Sequence, residues 1–485
     1  MSSIRSNIAL NTVNTITSVI FPVITFPYAA RVLMPEGIGT ISFLNGIISY
    51  IVLLTSLGIP LYAVKKIASV RDNEEQRNQA TIEILTLGLA LCIIGYIIVA
   101  ILACLVPEIR EQSKIFYILS ISILFTTIGA EWFYQAIEDF KFVTIRAIIV
   151  RTLAASALFM FVKSPGDLIP YSFIIVASTI GNNIINFHHL HKFNIFSSVS
   201  IKRLTISGAI SHFMPSLMVF SISAISSIYL SLNSIMLGFI STETEVGYYT
   251  AASKITQIAI MLVCSVGTVL LPRISNLIAT GNEVEYKQIS EKSLRLSLIL
   301  SLPIVAGSII LAAPIISAFC GDDFQPSAII LVYCAPTIYL SSLSSLIGLR
   351  ILYPNNKLNI VVWSACCGAI ANILLNFLLI PEFKALGAAI SFSCAELIVL
   401  VIQIYSGRKY LPFKISAIFQ PRYYIATIIM CAAIIPVLHL LDGIEILSLT
   451  VIPIAGALIF TIALIAMHDK FTIEILSGFS RRLLK

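Results

Sequence analysis

About fourteen apolar stretches, each near the ~20 residues that cross a hydrocarbon core as a helix, follow one another through the chain with short polar links. The fold class this predicts is an all-α polytopic membrane protein. Of 485 residues, 58% are hydrophobic and only 11% charged, where a soluble domain carries about 25% charged. Because the links are so short, the work of such a chain falls to its helices, and to the polar residues that interrupt them. Arg5 precedes an apolar run longer than a signal peptide, with no convincing cleavage site after it, so that run is expected to remain as the first span.

Counting Lys and Arg in alternate links, with the N-terminus on side one, places 24 on side one, 5 on side two and 2 within spans. The positive-inside rule makes side one cytoplasmic and predicts that both termini lie there, in an inner membrane. The net charge of +7 then reflects topology, and a nucleic-acid partner is not expected. The nine cysteines include no CxxC, so neither a disulfide framework nor a zinc site is expected. His188, His189 and His191 lie together at the inner end of the sixth span without acidic or thiolate company, and read as interfacial residues.

Two segments about 209 residues apart resemble each other. Ser56-Leu57-Gly58 precedes Val70-Arg71-Asp72-Asn73-Glu74 in one, and Ser265-Val266-Gly267 precedes Thr280-Gly281-Asn282-Glu283 in the other. Upstream, Pro35-Glu36-Gly37-Ile38-Gly39 lies opposite Glu243-Thr244-Glu245-Val246-Gly247. Six spans separate the copies, so they share one orientation, as in a parallel repeat about an axis along the membrane normal. The expected organisation is a six-helix lobe at 1–208, a second at 209–422, and two further helices with a cytoplasmic tail at 423–485.

The first span carries Asn7, Asn11, Asn14, Ser18 and Thr25 at helical spacing, a polar stripe that suits a wetted cavity, together with Pro22 and Pro27. The seventh span echoes it with Pro215 and the series Ser216, Ser223, Ser227, Ser231 and Ser234. Ordinary hydrogen bonding between helices is the competing explanation. Five ionisable residues sit within spans: Glu83, Glu131, Arg151, Lys254 and Glu396. An isolated charge at the bilayer centre costs about 3 kcal/mol on insertion scales, so each is expected to meet a partner or water. Glu83 lies near an inner boundary, and Glu131 with Arg151 suits an ion pair. Lys254 is a candidate anion contact, while Glu396 and Glu131 are candidates for coupling to an ion.

The segment Arg31-Val32-Leu33-Met34-Pro35-Glu36-Gly37-Ile38-Gly39 resembles the outer turn of bacterial polysaccharide flippases, whose usual form is RVLGPEGYG. Met34 departs from the family's glycine. Glu131-Trp132-Phe133-Tyr134-Gln135-Ala136-Ile137-Glu138, Met236-Leu237-Gly238 ahead of Val246-Gly247-Tyr248-Tyr249, and Leu386-Gly387-Ala388-Ala389-Ile390-Ser391 followed by Glu396 extend the likeness over nearly the whole chain. The resemblance is to O-antigen flippases of the Wzx type, in the superfamily that also holds multidrug exporters and lipid II flippases. It implies an alternating-access transporter, not an enzyme, that moves an undecaprenyl-diphosphate-linked oligosaccharide across the inner membrane. It further implies membrane lipid as a partner and, by family analogy, a polysaccharide polymerase and a chain-length regulator. No cofactor is implied, but a proton or sodium gradient could drive transport, since no P-loop is present. Such a substrate needs cations for its diphosphate and a hydrated pocket for its sugars. Arg31, Arg151 and Lys254 would supply the first, and Asn7, Asn11 and Asn14 the second. A multidrug cation antiporter is the nearest alternative, and a membrane enzyme of polysaccharide assembly a more distant one.

Overall fold

The computed structural model describes residues 4–195, 206–268, 270–440, 445–474 and 477. The side chains of the stripe residues Asn7, Asn11, Ser223 and Ser227 lie outside the described set. All regular structure among the described residues is helical. Ten helical stretches are long and apolar enough to cross a membrane, as a multi-pass membrane protein requires. Two of them, Val13–Ser69 and Leu358–Tyr410, have 57 and 53 residues, far more than the ~20 that one crossing takes. Each contains a non-helical residue, Met34 in the first and Lys384 in the second. At Lys384 the chain doubles back, because a Cβ on Gly387 would lie 2.4 Å from the carbonyl oxygen of Leu379. Dividing these two stretches gives twelve crossings among the described residues, and Phe213–Ile240 and Glu243–Thr268, at 28 and 26 residues, are long enough to add two more.

Met34 stands at φ 63°, ψ 172°, a region that only glycine enters freely and that costs another residue about 1–3 kcal/mol. The usual glycine of the resembling turn would relieve it. Met34→Gly is therefore expected to stabilise the chain by about 1–3 kcal/mol, read as a higher unfolding midpoint of the purified protein. An unchanged midpoint would mean that the turn carries no strain.

The repeat has a structural basis in its caps and breaks. Helix α1 (Ile4–Ser56) ends at Leu57 and Gly58, both left-handed at φ 40° and 69°, and the short α2 (Ile59–Ser69) follows. Asn73 then caps α3 (Glu74–Leu105), its side-chain oxygen accepting the Gln76 amide at 3.1 Å, with Glu74 and Glu75 in the first turn. In the second copy a short helix, Leu271–Ala279, precedes Asn282, which accepts the Glu285 amide at 3.2 Å and caps Glu283–Ile310. An asparagine cap with acidic residues in the first turn satisfies the free amides and favours the positive end of the helix dipole. The two asparagines are the matched positions of the repeat.

Contacts divide the chain into two compact units, Met1–Gly247 and Tyr248–Lys485. In the first, one apolar core gathers Ile59, Ala63 and Ile67 of α2, Ile84 of α3, and Trp132, Phe133 and Tyr134. The first unit also contains both copies of the outer turn, and they meet backbone to backbone. A Cβ on Gly39 would lie 1.7 Å from the Glu243 carbonyl oxygen, and one on Gly247 1.9 Å from that of Pro35. The Thr40 hydroxyl donates to Glu243 Oε2 at 2.6 Å across the same joint. In the second unit, Pro421–Leu440 and Glu445–Ala466 pack on Glu283–Ile310 through Leu298, Tyr423, Met430, Ile452 and Phe460.

Candidate functional site

In the first unit a cavity of about 260 Å3 opens between α1, Phe140–Phe161 and Leu168–Leu190. Ser18, Pro22 and Thr25 of the predicted stripe line it, with Arg151, Tyr171 and Ser178 opposite. Ser18 and Thr25 of the stripe therefore face a cavity that Phe21, Ala154, Leu158 and Ile174 make more apolar than polar, and Pro22 sits where a missing backbone bond is tolerated.

Arg151 is held by one nitrogen. Its Nη1 donates to the Asn14 carbonyl at 3.2 Å, to Asn14 Oδ1 at 3.1 Å and to Thr17 Oγ1 at 2.9 Å. These acceptors are neutral, and no carboxylate lies in ion-pair contact with Arg151 among the described residues. A guanidinium presents five N–H donors in a fixed fork, so fixing one nitrogen orients the remainder without using it. Such a group can bind an oxyanion bidentately, as diphosphate recognition requires.

The expected ion pair of Glu131 with Arg151 is not formed. Glu131 lies 3.8 Å from Arg146 Nη2, while Arg146 Nε donates to Asn182 Oδ1 at 3.1 Å. Arg146 was expected among the inner-side charges, yet it is only 4% exposed, as is Arg350 of the second unit. Arg350 donates to the Cys264 carbonyl at 3.1 Å, near the C-terminal end of Glu243–Thr268, where a cation is favoured by the helix dipole. Neither arginine could be found by counting, since charges near a span end are assigned to water by default.

Of the other expected residues, Arg31 is exposed on α1, three positions before the Met34 turn. Lys254 and Glu396 belong to the second unit. The Lys254 side chain is exposed on Glu243–Thr268, and no hydrogen bond or ion pair engages it among the described residues. Glu396 is half-buried, and its Oε2 accepts the Ser341 hydroxyl at 2.9 Å. Among the described residues no group of histidine, cysteine and carboxylate side chains is placed to hold a metal. His189 instead stacks on Phe142, ring centroids 4.0 Å apart.

Residues 4–278 match the family described as "Polysaccharide biosynthesis protein". The chain belongs to this family. A relative from Escherichia coli (strain K12), named "Putative O-antigen transporter", is 27% identical over 411 residues, covering 83% of this chain and 96% of the relative. A family relative from Shigella dysenteriae of the same name is 25% identical, over 79% of this chain and 95% of its own. Among solved structures, "Lipid II flippase MurJ, inward closed conformation" shares the fold with a TM-score of 0.68 at 21% identity, covering 98% of this chain and 99% of that one. An inward-facing multidrug resistance MATE family transporter of the MOP superfamily has a TM-score of 0.63 at 12% identity, over 84% and 98% of the two chains.

Proposed function

We propose that this protein is a flippase that carries an undecaprenyl-diphosphate-linked O-antigen oligosaccharide from the cytoplasmic to the periplasmic leaflet of the inner membrane by alternating access. The observation that carries the reading is Arg151, fixed by Asn14 and Thr17 through one nitrogen at the wall of a cavity. A cationic wall fits a diphosphate and repels the cations of a multidrug antiporter. The names of the relatives agree, each covered along most of its length.

In this reading Arg151, Arg31 and Lys254 bind the diphosphate, and Asn7, Asn11 and Asn14 bind sugar hydroxyls. Glu131 and Glu396 couple transport to a proton or sodium gradient. The repeat divides the chain into lobes at 1–208 and 209–422 with two appended helices at 423–485, both termini being cytoplasmic. A polymerase and a chain-length regulator act on the delivered units.

Deleting the gene in its host tests the reading directly. Surface polymer is expected to disappear while lipid-linked repeat units persist inside, and the wild-type gene is expected to restore it. Unchanged polymer with altered drug sensitivity would favour the antiporter. Lys254→Ala is expected to insert normally and to restore less than about a tenth of the polymer, since removing a cation from an anion contact costs more than about 1.4 kcal/mol. Full restoration by this variant would remove Lys254 from the site.

A further inference from the structure

One chain of titratable groups lies outside the cavity just described. His212, only 5% exposed, precedes the helix Phe213–Ile240. Its Nε2 is 3.1 Å from Glu83 Oε2 on α3, and its Nδ1 is 2.6 Å from the Tyr62 hydroxyl on α2. The remaining oxygen of Glu83 accepts the Gln79 amide at 2.7 Å. The chain therefore joins three helical elements through one imidazole.

The other charges around it are few. From Ile206 to Ile240 the sequence contains no acidic or basic residue other than His212. On α3, Arg77 is turned to the Arg71 carbonyl and to Asn78, with Phe193 below its guanidinium. On α2, Lys66 follows Tyr62 by one turn and is half-buried, whereas Lys65 is exposed. Glu83 is thus the acidic group in direct contact with the imidazole.

The seat of α2 is narrow. A Cβ on Gly58 would lie 2.5 Å from the Phe220 amide nitrogen and 2.6 Å from the Ser216 carbonyl oxygen. Two successive left-handed residues, Leu57 and Gly58, link α2 to α1, so α2 is set at an angle by a hinge and held at its far side by Tyr62. Contact with helix Phe213–Ile240 is made at the hinge, and contact with the residue before that helix is made at the phenol.

We propose that Glu83 and His212 form a proton-binding site whose loading reverses the hydrogen bond that holds α2. With the imidazole neutral, Tyr62 donates its O–H to Nδ1 and Nε2–H donates to the Glu83 carboxylate, so every group is satisfied. A proton taken from water adds to Nδ1. The new N–H must donate to the Tyr62 oxygen, which turns its own O–H elsewhere, and the imidazolium neutralises Glu83. No covalent bond other than the added N–H changes. Imidazole is the side chain suited to such a change near neutral pH. As a coupling site this rests on the flippase reading; as a proton site it does not.

The test uses the full chain in lipid nanodiscs with 15N-labelled histidine. Six histidines are present, and the His212 signal is the one that His212→Gln removes or, should that variant not fold, the one that Tyr62→Phe perturbs. Between about pH 8 and about pH 5 this signal is expected to pass from neutral imidazole to imidazolium. Glu83→Gln, which removes the carboxylate from the pair, is expected to change the titration of this signal. A signal that does not titrate, a midpoint unmoved by Glu83→Gln, or a response to sodium ions at fixed pH in its place would overturn the site. Wild-type protein that moves no lipid-linked unit at any pH would defeat the flippase reading while leaving the spectroscopic result to decide the proton site.

Discussion

Arg151→Ala is expected to lower translocation of the lipid-linked unit about 100-fold or more, with the chain still inserted and folded. Losing one partner of a desolvated charge contact costs about 2–5 kcal/mol, and about 2.7 kcal/mol is a factor of 100. The fold should survive because Arg151 holds only two neutral residues of α1, Asn14 and Thr17, and no carboxylate in contact is left without its cation. Arg151→Lys separates charge from geometry. A lysine keeps the charge but lacks the fork that could hold two phosphate oxygens while one nitrogen stays on Asn14, so activity should fall between the two. Flipping of a fluorescent lipid-linked oligosaccharide in proteoliposomes measures both variants, and wild-type rates in Arg151→Ala would show that the cavity does not bind the anion.

Gly247→Ala should be nearly as damaging for a different reason. Its added methyl group would sit 1.9 Å from the Pro35 carbonyl oxygen, well inside van der Waals contact, and the obstacle is backbone, which no rotamer change moves aside. Overpacking of this kind costs about 1–3 kcal/mol or more. The joint holding the two outer turns should open, and under the alternating-access function proposed above a transporter that cannot close this end has lost one of its two states. Residues 40 and 243, joined by a 2.6 Å hydrogen bond, report the closure: cysteines placed there should cross-link through a short reagent with Gly247 present and fail to do so in Gly247→Ala. Equal cross-linking in both, with transport retained, would show that the joint tolerates the methyl group. Gly39→Ala, blocked by the Glu243 carbonyl oxygen, should behave alike.

What could be read in the sequence is what has a local period. Apolar runs marked the crossings because length and hydropathy are properties of each segment alone. The stripe through Asn14, Ser18 and Thr25 was visible because one face of a helix repeats every three to four residues, although Thr17, which also holds Arg151, escaped the pattern. The asparagines at 73 and 282 stood out as a repeat before they were seen as caps. Pairing between distant segments was not legible. Glu131 was matched to the arginine deeper in the next span, but packing gave it Arg146. Glu83 and His212 are 129 residues apart, and neither sits in a motif that would call for the other. The mainly positive turn angle at Met34 could be suspected only from the glycine that the resembling sequences carry there.

The joint between the outer turns also bears on descent. Gly39 meets residue 243 and Gly247 meets residue 35, and each of these pairs is the other shifted by the repeat. Two copies of a single half-length chain, related by a two-fold axis, would make that contact from one patch of surface, as symmetric dimers do. In one polypeptide the two patches need not match, and proline stands at 35 where its counterpart at 243 is glutamate. Glycine occupies both 39 and 247. Side chains differ between the two turns, but at neither glycine is there room to add one where the backbones touch.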